Sequence, residues 1–288
     1  MRLSVSGGSL GRFRVNRVGY GAMRLAGPGV FGPPSDPPEA IAVLRAAIEA
    51  GVNHIDTAQY YGPDVVNDLI RQALHPYPRD LAIVSKVGAR RDAAGGILVY
   101  NQPDELRQGI EENLASLRVE QLAAVNLRLV EGAPADAFFD EQLAAMVRAR
   151  DDGLIAGIGL SNITVEHLWR ALDVTDIVCV QNLFNLADLS SLPVLRECSA
   201  RGIAFVPFFP LGAGSLQSTA VLGDPRVTGA AERLGVTPGQ IALAWALELV
   251  PNLLLIPGTA SRQHLAENIA AQYVELDEQA QRELRIDM

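Results

Sequence analysis

Residues 81–87 read LAIVSKV, and residues 103–117 read PDELRQGIEENLASL. The first run is short and rich in β-branched residues, which predicts a strand; the second carries apolar residues at helical spacing, which predicts a helix. The same pairing recurs on either side. Toward the N-terminus, the run at 18–21 precedes helical 38–51, and 54–57 precedes 64–74. Toward the C-terminus, 122–127 precedes 135–150, 155–160 precedes 165–172, and 177–180 precedes 191–200. Two pairs remain, 203–207 with 237–249 and 253–256 with 262–271. Eight strand–helix pairs with no break in composition predict an α/β chain folded as a single (β/α)8 TIM barrel over residues 1–288. Residues 3–15 (LSVSGGSLGRFRV) read as an N-terminal β-hairpin that closes the lower end, and 277–285 as an extra C-terminal helix. Stretches 24–38 and 212–228 have loop composition. An open doubly wound sheet would carry G-x-G-x-x-G after its first strand. The nearest match here runs from Gly19 through Gly21 to Arg24 and lacks the last glycine.

Composition narrows the function. The chain has 288 residues, 49% of them hydrophobic, enough to bury a full core. A net charge of −9 argues against nucleic acid or an anionic membrane as partner. The two cysteines, Cys179 and Cys198, are too few for a disulfide framework, and the N-terminus has no apolar run of signal-peptide length. A cytoplasmic protein is expected. The Cys and His residues do not fall at metal-ligand spacing, so no metal site is expected. The pair Arg90–Arg91 reads as a solvated loop, and Trp169 and Trp245 as helix packing.

In such a barrel, chemistry sits at the C-terminal ends of the strands. The polar residues that follow the apolar runs there include Asp56, Lys86, Asn126, Ser161, Asn162 and Gln181. Of 24 basic residues, Lys86 is the single lysine. A lysine at a barrel mouth needs a carboxylate to stay charged, and Asp56 ends the neighbouring strand. Tyr61 follows Asp56 by five residues in HIDTAQYYG. An ammonium beside a phenol lowers the phenol's pKa toward the range of a general acid. Taken singly, each residue also fits a helix cap, a solvated rim or loop packing.

Taken together, HIDTAQYYG, SKVG at 85–88, GLSN at 159–162, VQN at 180–182, FFPLG at 208–212 and IPGTASRQHLAEN near the C-terminus resemble the aldo-keto reductase superfamily. GYGAMRLAGPGVFGPP, VNLR and VPFFPLG are similar to its bacterial pyridoxal reductase branch. The resemblance implies NADP(H)-dependent reduction of a small carbonyl substrate. It implies Tyr61 as catalytic acid, Lys86 as the group that lowers its pKa, and Asp56 as the lysine's partner. Ser161, Asn162 and Gln181 match carboxamide-binding residues, and Phe208 takes the place of an aromatic that stacks on the nicotinamide. Gly21, Ala22 and Met23, then Phe209, Pro210, Leu211 and Gly212, fall in the other cofactor-lining segments. Gly258 and His264 stand where the family often has a lysine and an arginine at the 2′-phosphate. Thr259, Ser261 and Arg262 could supply donors there, with Glu267 and Asn268 in the same segment. The family's usual strand-four histidine is matched to Asn126, whose amide can donate a hydrogen bond but not share a proton. That departure keeps a second class open, a catalytically weak NADP(H)-binding redox sensor or regulatory subunit, against which the Asp56, Tyr61 and Lys86 set argues.

Overall fold

The computed structural model describes residues 7–212 and 214–288. A hairpin of β1 (Gly8–Leu10) and β2 (Phe13–Val15) opens the chain, paired antiparallel from Gly8↔Val15 to Leu10↔Phe13. The part of the expected hairpin at 3–6 lies outside the described residues. Next come β3 (Tyr20–Gly21), α1 (Pro37–Glu49), β4 (His54–Asp56), α2 (Val65–Leu74), β5 (Ala82–Arg91), β6 (Ile97–Tyr100) and α3 (Pro103–Leu117). They are followed by β7 (Ala124–Arg128), α4 (Ala137–Asp151), β8 (Ile158–Ser161), α5 (Val165–Leu172), β9 (Cys179–Gln181), α6 (Leu192–Arg201) and β10 (Ala204–Phe205). The chain ends with α7 (Gly214–Leu222), α8 (Pro225–Leu234), α9 (Pro238–Leu249), α10 (Arg262–Ala270) and α11 (Glu278–Glu283).

The sheet runs β3-β4-β5-β7-β8-β9-β10, every neighbouring pair parallel. The eighth stave is the segment at 253–256. Its Leu254 N–H donates to Phe205 O (2.9 Å), its Leu255 N–H donates to Arg17 O (2.8 Å), and Leu255 O accepts from Gly19 N–H (2.8 Å). That segment closes the barrel. Leu10 and Val15 of the hairpin pack with Ala82, Ala124, Cys179 and Ala204, the opening residues of four staves. The hairpin therefore plugs the N-terminal end, and the opposite end is left open.

Local chemistry sets the helix starts. Asp36 accepts from Glu39 N–H, Asp136 from Phe138 and Phe139 N–H, and Thr237 forms a capping box with Gln240. Four expectations need correction. Residues 212–228 are not a loop: α7 and the start of α8 occupy them, with Asp224 capping Arg226 N–H and Pro225 in the first turn. The strand at 81–87 continues to Arg91, because the apolar run Ile97–Tyr100 folds back to pair with it, Gly88↔Tyr100 to Arg91↔Ile97. Arg90 and Arg91 therefore belong to a strand, not a solvated loop. Trp245 is buried and stacked on Phe184, whereas Trp169 is 49% exposed.

Candidate active site

The open end of the barrel holds a cavity of about 930 Å³, with Asp56, Tyr61, Lys86, Arg128, Ser161 and Phe208 among its walls. β4 delivers Asp56 as its last residue, and β5 delivers Lys86 two residues beyond the Asp56↔Val84 pair, on the neighbouring stave. The lysine ammonium forms an ion pair with Asp56 Oδ1 and donates to Thr57 O (3.2 Å). The other carboxylate oxygen of Asp56 accepts from Gln181 Nε2 (2.6 Å). Both ions are buried, so their mutual attraction and these added bonds must offset the loss of water.

Tyr61 sits over this pair, with Lys86 Nζ 5.3 Å from its ring centroid and Tyr60 packed edge-on at 5.3 Å. Burial pushes the Tyr61 phenol above the ordinary tyrosine range and the Asp56 charge adds to the rise, while Arg128 and Arg91 oppose it. Desolvation thus acts on the phenol against the nearby arginines.

A second layer fixes the two staves. Thr57 Oγ1 donates to Asn67 Oδ1 (2.8 Å), and Asn67 Nδ2 donates to Asn113 Oδ1 (3.0 Å), which also accepts from Ser85 Oγ (2.6 Å). Thr57 follows Asp56 and Ser85 precedes Lys86, so α2 and α3 hold the ion pair's backbone through buried amides. Nothing in the sequence marked Asn67 and Asn113 except their polarity on apolar helix faces.

Asn126 does not reach the cavity. It pairs with Lys86 in register, is 0% exposed, donates to Ser85 O (3.4 Å) and accepts from Cys179 Sγ (3.4 Å). A Cβ at Gly159 would stand 2.2 Å from its Oδ1, so the amide lies against that glycine inside the barrel. Strand side chains alternate at about 3.3 Å per residue, so the same face reappears two residues on, roughly 7 Å higher. That residue is Arg128, which lines the cavity. The expected role of Asn126 is corrected on this ground. The polar asparagine looked like a strand end, but β7 runs two residues further.

On the opposite wall Ser161 and Asn162 line the cavity, while Gln181, the last residue of β9, is fully buried and outside its lining. Asn162 adopts a left-handed conformation (φ 60°) and donates to Leu129 O (3.2 Å). Gln181 Oε1 is buried without a hydrogen-bond partner, an acceptor that fits the amide group of a carboxamide. Phe208, Phe209, Pro210, Leu211 and Gly212 line the cavity; Phe209 is left-handed (φ 53°) and its carbonyl is held by Asn185 Nδ2 (3.0 Å). Gly21, Met23 and Gly258 line it as well, while Ala22 is buried behind them. A Cβ at Gly258 would stand 2.5 Å from Gly21 O, so these segments touch only because both residues are glycine. Thr259, Ser261, Arg262, His264, Glu267 and Asn268 lie outside the cavity walls. Ser261 caps α10, Thr259 Oγ1 accepts from Ser261 N–H (3.0 Å), and Arg262 is ion-paired with Glu39 (3.0 Å).

The sequence at 17–286 matches the model of the aldo/keto reductase family. The chain belongs to that family. This aldo/keto reductase is 46% identical to the pyridoxine 4-dehydrogenase of Escherichia coli (strain K12) over 274 residues, 94% of each chain. It is similar to a thermostable aldo-keto reductase crystallised with the inhibitor epalrestat (29% identity, TM-score 0.81, 96% and 98% of the two chains). It also resembles an aldo/keto reductase of Klebsiella pneumoniae solved with NADP and acetate (25% identity, TM-score 0.75, 94% and 90% covered). Among the described residues of this aldo/keto reductase, no helix is long and apolar enough to cross a membrane.

Proposed function

We propose that the protein reduces aldehydes or ketones with NADPH, and that pyridoxal and pyridoxine are the first substrate–product pair to test. The observation that carries this reading is Tyr61 in the cavity, above the buried ion pair of Lys86 and Asp56. Support comes from the E. coli pyridoxine 4-dehydrogenase at 46% identity and from the NADP held by the K. pneumoniae relative. Residues 1–288 act as one catalytic domain on a small carbonyl substrate. Two free, buried cysteines suit a reducing compartment such as the cytoplasm.

Bound NADPH supplies the hydride. Ser161, Asn162 and the unpartnered Oε1 of Gln181 would hold its carboxamide, and Phe208 would pack against the ring. Tyr61 keeps its proton at neutral pH because burial raises its pKa, and gives it to the carbonyl oxygen as charge develops there. The phenolate left behind is stabilised by the Lys86 ammonium, which Asp56 and Thr57 O hold in place. Gln181 bridges the two functions, since its amide N–H donates to Asp56. Loss of NADPH absorbance with a panel of aldehydes tests the reading. Turnover of pyridoxal above the rate without enzyme is expected, and a panel with no turnover overturns it.

A further inference from the structure

Three arginines face the cavity: Arg24, Arg91 and Arg128. Arg24 is exposed at the rim, beside Gly258. Arg91 donates to Gly95 O (2.5 Å) and Gly29 O (3.1 Å), tying the β5–β6 arm to the loop after β3, while its buried Nε has no partner. Arg128 differs from both. It is half-buried, and among the described residues its side chain has no hydrogen bond and no ion pair. Asp56 is taken by Lys86 and Gln181, and the other cavity carboxylates, Glu131 and Asp188, do not pair with it.

A guanidinium held on the wall of a concave site without a partner calls for an oxygen from a ligand. The backbone that carries it is fixed in the sheet. β7 pairs Arg128 with Ser161, and Leu129 N–H donates to Ser161 O (2.9 Å). Gly88 packs so closely that a Cβ there would stand 2.3 Å from Arg128 O. Arg128 and Tyr61 line the same cavity, and the arginine charge opposes the rise that burial gives the Tyr61 phenol.

We propose that Arg128 is a specificity-determining residue that selects carbonyl substrates bearing an acidic oxygen next to the carbonyl, as in a planar aryl aldehyde with an ortho hydroxyl. The planar fork of the guanidinium matches two adjacent oxygens as it matches a carboxylate. One arm meets the carbonyl oxygen beside Tyr61, and the other meets the ortho oxygen, whose anionic form it favours. Pyridoxal, with its 3-hydroxyl beside the 4-aldehyde, has this chemistry. The proposal rests on the reductase reading and deepens it.

The test compares 2-hydroxybenzaldehyde with 3-hydroxybenzaldehyde, which differ only in where the oxygen sits. The ortho-to-meta ratio of kcat/KM is expected to fall by about 10- to 100-fold in Arg128→Met, the effect of one charge-assisted contact. Arg128→Lys, which keeps the charge but loses the fork, should fall between the two. An unchanged ratio in both variants overturns the proposal. A binding arm is independent of turnover: pyridoxine, titrated calorimetrically into the cofactor-free protein, should bind wild type about tenfold or more tightly than Arg128→Met. Equal binding, or binding by neither, overturns the proposal. Arg128-dependent binding with no aldehyde turned over supports it and overturns the reductase reading instead.

Discussion

Asp56 and Lys86 show how single residues announced the chemistry. A lone lysine at a strand end, one stave away from an aspartate, is an electrostatic pattern that sequence carries directly, and the structure joins the two in a buried ion pair. The histidines carry no such signal, and His54 shows why. It lies buried beneath Asp56 with both ring nitrogens unpartnered, and burial lowers its pKa to about 4, with Asp56 acting to raise it and Lys86 to lower it. The unfolded chain binds the proton near 6.5, so between pH 6.5 and about 4 the unfolded state holds more protons and stability falls as pH falls. The loss reaches up to about 3 kcal/mol. Urea denaturation of wild type and His54→Gln at pH 7 and pH 4.5 checks this. Wild type should lose more stability on acidification than the variant.

At the scale of elements, Asn126 and Arg128 mark the limit of sequence reading. Both lie on one face of β7, and only the pairing register shows which one reaches the open end. The helix over 214–222 was hidden for another reason: its glycine and serines have turn composition. Gly88 joins β5 to β7 in a left-handed conformation (φ 109°) against Arg128 O. Gly88→Ala should cost about 2 kcal/mol or more, from backbone strain and the displaced carbonyl, read as a lowered Tm. The buried amides between helices and staves give a second expectation. Asn113→Ala removes acceptors from Asn67 and Ser85 and should destabilise by about 2–4 kcal/mol, with a fall in turnover as the ion pair's backbone loosens.

Across the whole molecule, the strand–helix alternation gave the barrel, because each stave–helix pair must bury its own apolar face against the next. Closure was less legible: the eighth stave forms few ladder bonds and is recognised by its two flanking contacts. The segment after it bears on cofactor choice. Ser261 and Arg262 open α10, and Arg262 is held by an exposed Glu39 pair, which is weak and exchangeable. NADPH should bind about tenfold more tightly than NADH, as a charge-assisted contact to the 2′-phosphate implies, and Arg262→Ala should narrow the gap through NADPH affinity. Fluorescence titration of both cofactors measures it. The central claim, a tyrosine acid served by a buried lysine, is tested most directly by single-turnover reduction of pyridoxal in wild type, Tyr61→Phe and Lys86→Met, with NADPH affinity measured alongside. The account predicts that both variants bind NADPH nearly as wild type does while the rate of reduction falls by about two orders of magnitude or more. A near-normal rate in either variant would contradict it.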